Sequence, residues 1–561
     1  MPGRPQILFD GNCGFCRIWI KYWKQLTGDA VDYAPFETPR PAVELVQPDG
    51  TKLSGAAAVV ASLRYAPQPH WLVWLYDHVP GFPRIAEPLY RLIASHRDAA
   101  YWCTRLFFGT TIQPASYYRI AWVFSRLIGL IYLIAFASLA VQITGLIGSR
   151  GILPLARFLP AVQQRWMVPT VFWLNSSDTA LRVVCWAGVA VSLSIVLGFA
   201  QRICFAIAFV LYLSLCSAGQ DFLSFQWDML LLECGFLAVF LAPTSAIVWL
   251  YRLILFRLMF LSGAVKLLSH DSAWRSLDAL RFHYWTQPLP TPVAWYANLL
   301  PDWFQRLSTV GVFAIELALP FLIFLPRRCK LVAAAGFVFL QVFILLTGSY
   351  TFFNLLAISL CVFLLDDAFL GAPFRIAPAS KRSGILVVVL GSLGVLQIVA
   401  TVTRIPQSAE ALLGLIAPYG IVNSYGLFAV MTTSRPEIIV QGSNDGTTWL
   451  DYEFKFKPGD VKRAPPWVAP YQPRLDWQMW FAALSNWRAN PWFVNFLARL
   501  LQGSPEVLEL LGKNPFPNQP PRYVRALVYD YRFTRNHGDG AWWSREPRGL
   551  YLRPISLDDL R

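Results

Sequence analysis

Nine apolar segments crowd the middle of this 561-residue chain and decide most of what it can become. They are centred in 121–144, 180–200, 203–218, 228–243, 246–268, 307–325, 331–348, 352–366 and 384–403. In lipid every backbone N–H and C=O must be satisfied within the segment, which leaves helices for runs of this length. A polytopic helical domain of about nine spans is therefore expected over 106–405, several of them near the lower length limit. Only 14% of the residues are charged and 55% are hydrophobic, whereas soluble domains carry roughly a quarter charged. The length also exceeds one ordinary core, so flanking domains are expected at 1–105 and 406–561.

Loop charges orient these segments. With the N-terminus inside, the inner connections carry Arg202, Arg252, Arg327, Arg328 and Lys330, then Arg375, Lys381 and Arg382. The short outer connections around 219–227 and 348–351 carry no Lys or Arg. That asymmetry is the positive-inside signature and predicts an extracytoplasmic tail after 405. The long outer loops 145–179 and 269–306 do contain Arg, but long loops obey the rule poorly. The opening MPGRPQILFDGNCGFC lacks the apolar stretch of a cleavable signal, so the first domain is expected in the cytosol. A formal net charge of +15 would suggest nucleic acid in a soluble protein. Here it belongs with loops that face anionic lipid, and no basic run interleaved with aromatics supports a nucleic-acid surface.

Residues 1–105 read as a small thioredoxin-like α/β domain. QILF (6–9) and VDYA (31–34) are strand-like, and VELVQ–PDG–TKLSG reads as a hairpin with a D-G turn. Residues 14–26 and 55–66 have helical patterns, which makes the order β-α-β-β-β-α. Residues 70–105 are rich in aromatics and broken by Pro80, Pro83 and Pro88, as in short helices on a membrane surface. Cys13 and Cys16 open the first helix, in DGNCGFCRIW. A helix N-terminus lowers a thiol pKa, and a partner two residues on closes a disulfide. Cys13 is then the attacking thiol and Cys16 the resolving one, with Asp10 and Gly11 shaping the turn. Pro41 sits where thioredoxin-like folds place a cis-proline. A zinc site would need two more ligands; no second C-x-x-C exists, and His70, His78, His96, His270, His283 and His537 show no metal spacing. A chance pair in a packed turn is the other alternative. No metal and no cofactor are called for. The tail after Cys361 has no cysteine, so it carries neither a disulfide framework nor a thiol site.

The stretch ILFDGNCGFCRIWIKYWKQL resembles the opening of the DCC family of thiol-disulfide oxidoreductases, over roughly residues 5–100. Asn12 stands where that family usually has Asp. The resemblance implies redox chemistry at Cys13 and Cys16.

FLSFQWDMLLLECGFLAVFLAP (222–243) puts Gln226, Asp228 and Glu233 in or beside an apolar segment. Charge in lipid is expensive, so these residues are functional candidates. Lys266 and Arg257 are possible partners for Glu233, and Glu316 is a second intramembrane acid. Ion pairs that register helices are an equally good reading. His283 lies in an aromatic outer loop and reads as an interface residue.

The tail contains PEIIVQGSNDGTTWLDYEFKF (strand, turn, strand), a helical 476–512 and the strand-like PPRYVRALVYDYRF. GLIYLIAFASLAVQITGLIGSRGILP, DFLSFQWDMLLLECGFLAVFLAP, FRLMFLSGAVKLLS, HYWTQPLPTPVAWY and SYGLFAVMTTSRPEIIVQGSNDGTTWLDYEFKFKPGD closely resemble the lipase maturation factor family. In animals that resemblance implies a polytopic endoplasmic-reticulum protein that helps dimeric lipases fold. Fusion to a DCC domain is unlike the animal members and suggests a bacterial inner-membrane chain. The expected function is maturation of exported, lipase-like clients, with the exposed aromatics of 467–493 offering transient apolar contacts. The alternative is a membrane thiol oxidoreductase working with a quinone or a membrane thiol, or a carboxylase-like intramembrane enzyme. A relay through Cys204, Cys216 and Cys234 competes with their use as small apolar fillers.

Overall fold

The computed structural model describes residues 4–38, 40–67, 70–375, 381–536 and 539–560. The side chains of Lys381 and Arg382, read above as inner-loop charges, and His537 lie outside the described residues.

The first domain follows the local pattern. Strands β1 (Gln6–Phe9), β2 (Asp32–Pro35), β3 (Glu44–Val46) and β4 (Lys52–Ser54) form one sheet in the order β2-β1-β3-β4. β1 and β2 are parallel; β3 runs antiparallel to β1, and β4 to β3. Helices α1 (Gly14–Thr27) and α2 (Gly55–Leu63) supply Ile20, Ala58 and Ala61 to a core with Ile7, Val31 and Leu45. Helices α3 (Trp71–His78), α4 (Phe82–Ser95) and α5 (Arg97–Phe107) follow. Tyr90 and Glu87 of α4 accept hydrogen bonds from the backbone N–H groups of Val43 and Ala56. Trp71, Trp74, Ile85, Leu89, Leu92 and Trp102 remain exposed on these three helices.

Among the described residues, seven helices are long and apolar enough to cross a membrane: Tyr118–Ala140 (α6), Asp178–Leu197, Gln201–Ala218, Ser245–Leu268, Asp302–Phe324, Arg327–Thr347 and Gly384–Val402. The other two expected segments are helical but shorter, Gln226–Val239 and Phe353–Leu364. The 14 residues of Gln226–Val239 reach only about 21 Å, below the ~30 Å hydrocarbon thickness. Their apolar sequence has a different cause: both are enclosed by neighbouring helices, with Leu230, Leu231, Leu232, Leu356 and Leu360 fully buried.

Both ends of α6 are pinned. At its start, the Asp367 carboxylate accepts the backbone N–H groups of Tyr118, Arg119 and Ile120 (2.7, 2.9 and 3.2 Å) and the Ser116 hydroxyl (2.9 Å). The same end meets the first domain, where Arg328 donates to the Arg105 carbonyl at 3.0 Å. Beyond its last turn, Gln142 donates to the Gln472 carbonyl (2.7 Å) and accepts the Arg474 N–H (3.0 Å) of the C-terminal domain. The two flanking domains therefore sit at opposite ends of a helix of 23 residues, about 34 Å long.

The C-terminal domain is a sheet in the order β7-β6-β5-β8-β9, from β5 (Pro436–Ser443), β6 (Leu450–Phe454), β7 (Leu511–Lys513), β8 (Tyr523–Phe533) and β9 (Trp543–Ile555). All neighbours are antiparallel. Asp445 closes the predicted N-D-G turn by accepting the N–H groups of Thr447 and Thr448. Strand β9 escaped the sequence reading because WSREPRGLYLRPI carries Pro and Gly that break alternation; the register shifts along its pairing with β8 show the consequence. Helices Arg474–Ala483 and Pro491–Leu501 cover the sheet. The expected aromatic display at 467–493 is mostly interior: Trp477, Trp480, Trp492 and Phe493 are buried, and Trp467, Phe481 and Leu484 are exposed. The helix built by this stretch turns its aromatic rings toward the bundle end, where Trp477 meets Trp227 at 4.8 Å.

Replacing Asp367 removes the acceptor for three helix N–H groups. Asp367→Ala should destabilise the detergent-solubilised protein by about 1–2 kcal/mol, measured as a lowered thermal midpoint, and Asp367→Asn by less.

Candidate functional site

Cys13 is the N-cap of α1, in extended backbone, and its Sγ accepts the Cys16 N–H at 3.4 Å. The turn is built by its neighbours. Asp10 Oδ1 accepts the Asn12 N–H at 3.0 Å. At Gly11 a Cβ would stand 3.0 Å from Pro35 Cβ, so β2 can approach the loop closely. Arg97, which the sequence reading missed, ties the surroundings together: Nη1 donates to Asp10 Oδ2 at 2.7 Å and Nη2 to the Pro41 carbonyl at 2.6 Å. Among the described residues the cis peptide bond is Ala469–Pro470, so Pro41 is trans. It participates through its carbonyl oxygen, because Arg97 links this loop to the cysteine turn. Burial, the Cys13 hydrogen bond and the charge of Cys13 push the Cys16 thiol up to about 12, against which Arg97 pulls down.

The polar residues singled out in the membrane region fall into three separate buried groups. Asp228 is fully buried and accepts both guanidinium N–H groups of Arg474 (2.6 and 2.8 Å) and the Tyr212 hydroxyl (2.5 Å). Glu233 pairs with Arg257 and also accepts the Tyr425 hydroxyl (2.6 Å) and the Asn423 backbone N–H (3.1 Å). Gln226 accepts the Gly426 N–H at 3.2 Å. Lys266 donates to Glu316 at 2.7 and 3.0 Å, with Glu316 in a short π-helical stretch, Ala314–Ala318. Lys266 and Glu233, one of the pairings considered from the sequence, belong to different groups; Arg257 is the Glu233 partner. Gln226, Asp228 and Glu233 share one helix, Gln226–Val239, and all three hold chain beyond residue 420. Asn423 and Tyr425 had no local signal, and Arg474 had a slight one. A single Arg before the apolar run LDWQMWFAAL was the one available hint.

His283 stacks edge-on against Phe428 at 5.3 Å. Burial first, then the Lys266 charge, lowers its pKa from 6.5 to about 4.

A bundle of membrane-length helices with a dithiol domain at one end and a strand-rich domain locked to the other defines a polytopic membrane protein with two appended modules. The family profile described as "Lipase maturation factor transmembrane domain" matches residues 119–372, and "Lipase maturation factor C-terminal domain" matches 421–553. "DCC1-like thiol-disulfide oxidoreductase" matches 7–103. Lipase maturation factor 2 of Gallus gallus is 36% identical over 76% of this chain and 80% of its own length. The human protein of that name is 35% identical over 78% and 82%. Lipase maturation factor 1 of Bos taurus is 34% identical over 83% and 91%. No solved structure matches the chain. The chain belongs to the lipase maturation factor family.

Three outcomes follow from these geometries. Arg474→Leu leaves a buried carboxylate unpaired and should cost about 3–5 kcal/mol. The double variant Asp228→Asn/Arg474→Leu should recover part of that in thermal unfolding; a simple sum of the single losses would show that the pair is not coupled. In a Cys103→Ser background at about pH 8, iodoacetamide should modify Cys13 well before Cys16, read by peptide mass spectrometry. An unfolded His283 binds a proton near pH 6.5, the folded one only near pH 4. Stability therefore falls as pH falls through that window, and His283→Phe should flatten the fall.

Proposed function

We propose that this protein is a membrane-embedded maturation factor for exported, lipase-like proteins, with the C-terminal domain as its extracytoplasmic client side. The observation that carries the reading is the match of both the transmembrane and the C-terminal domains to the lipase maturation factor family, at about one-third identity over three quarters of the chain. The relatives' designation as lipase maturation factors supplies the client class. The polar residues of Gln226–Val239 act in this reading as structural ties that hold the C-terminal domain in one orientation over the bundle.

The N-terminal domain is a thioredoxin-like dithiol module of the DCC type. Its strand order β2-β1-β3-β4, with the parallel and antiparallel pairs described above, supports that reading. Cys13 attacks a substrate disulfide as thiolate, releasing one substrate thiol; Cys16 then attacks the mixed disulfide. The products are the Cys13–Cys16 disulfide and a reduced substrate dithiol. With the N-terminus cytosolic, this exchange serves a cytosolic or membrane thiol partner, because clients gather at the other end of the bundle.

The test is co-expression with an exported lipase. Secreted lipase activity per unit of lipase protein should drop when the chain is deleted and return with the wild-type copy. It should not return with Arg474→Leu. Unchanged specific activity after deletion would end the maturation reading. Cys13→Ser is expected to support normal lipase activity, and failure to do so would mean that the dithiol reaches the client. Labelling of Cys13 in intact cells by an impermeant maleimide would overturn the cytosolic orientation.

A further inference from the structure

Where the bundle meets the first domain, the helix ends enclose a cavity of about 360 Å³. Trp19, Tyr22 and Trp23 of α1 form one wall, and Arg252, Arg327 and Lys330 line the other. Three cations thus face a space whose one lining carboxylate, Asp366, is engaged by Arg327 at 3.1 Å. Arg252 is 3% exposed. Its Nε donates to the Phe363 carbonyl at 2.9 Å and its Nη2 to the Tyr117 hydroxyl at 3.1 Å, both neutral acceptors. Its guanidinium lies 5.0 Å from the centre of the Trp249 ring, and Lys330 Nζ lies 5.9 Å from the same ring. A second space of about 620 Å³ adjoins, sharing Tyr22, His70 and Trp71 and adding Arg375.

Orientation rules account for cations at this end of the bundle. They do not account for a buried guanidinium with neutral partners, because a charge removed from water is costly until an opposite charge meets it. Apolar surface lies beside the cavity, where Trp249 lines the adjoining space. Trp249 stacks on Phe324 at 5.9 Å, and Trp249, Phe321 and Phe324 are exposed on the outside of the bundle, where lipid lies. A ligand that fits has an anionic head and an apolar body. It sits at the level of helix ends, where lipid headgroups lie.

We propose that this cavity binds the phosphate headgroup of an anionic phospholipid, held by Arg252, Arg327 and Lys330, with its acyl chains running past Trp249 and Phe324. The site lies at the junction of the dithiol domain and the membrane, independent of which proteins the C-terminal domain serves.

The full-length protein in nanodiscs of phosphatidylcholine, with and without phosphatidylglycerol, tests this by thermal unfolding and by mass spectrometry of retained lipid. Phosphatidylglycerol should be retained selectively and raise the unfolding midpoint. Lys330→Gln, at a half-buried position, should weaken retention about fivefold, and Lys330→Gln/Arg327→Gln further; Lys330→Arg should retain wild-type binding. Equal retention of both lipids, or undiminished phosphatidylglycerol retention by the double variant, would overturn the proposal. So would an equal stabilisation by soluble glycerol phosphate, which would make the ligand a free anion.

Discussion

A charge buried away from water must meet an opposite charge, and in this protein that demand holds the C-terminal domain to the membrane bundle. Asp228 of the Gln226–Val239 helix and Arg474 of the tail lie 246 residues apart and meet in a two-point pair with both side chains enclosed. The planar guanidinium matches the carboxylate with two N–H groups, which fixes orientation as well as distance. The surrounding contacts reinforce this one. Tyr212 adds a hydroxyl to the same carboxylate, and Gln142 accepts the Arg474 backbone N–H. Glu233 and Gln226, on the same helix, take the Asn423 and Gly426 N–H groups in the segment between the Gln407–Ile416 helix and β5. The short apolar helix thus carries three polar ties, whose partners lipid could not provide.

The first domain is attached by different means. Its link to the bundle is a shell of aromatic rings, an Arg328 hydrogen bond to a backbone carbonyl, and a cavity lined by cations. No buried ion pair crosses this junction among the described residues, in contrast with the other end. Thiol exchange needs sulfur-to-sulfur contact, so a dithiol at one end of α6 cannot itself act on a protein held at the other.

Much of this architecture was legible in the sequence, because it depends on local pattern. Alternation and turn residues predicted β1 to β6 and β8, and apolar runs of sufficient length predicted the seven membrane-length helices. The pair Cys13–Cys16 announced itself by spacing, since both residues belong to one helical turn. Arg257 as a partner for Glu233 was also within reach, because helical periodicity and depth restrict which cation can face which acid. The span count is less closely fixed, since hydropathy reads the environment of a side chain without distinguishing lipid from protein: among the described residues seven of the nine expected segments are membrane-length helices and two are shorter. Gln226–Val239 and Phe353–Leu364 are apolar because they are enclosed.

The sequence by itself determined the classes of the three parts, their order and the placement of two cysteines in one helical turn, all consequences of short-range periodicity and of the cost of exposing backbone to lipid. Only the tertiary structure decided that Arg97 joins Asp10 to Pro41, that Arg474 meets Asp228, that Lys266 meets Glu316, and that Trp477, Trp480, Trp492 and Phe493 face inward. Each of these depends on a contact between residues far apart in the chain, where no local spacing records the distance and one buried group selects its partner by charge and shape.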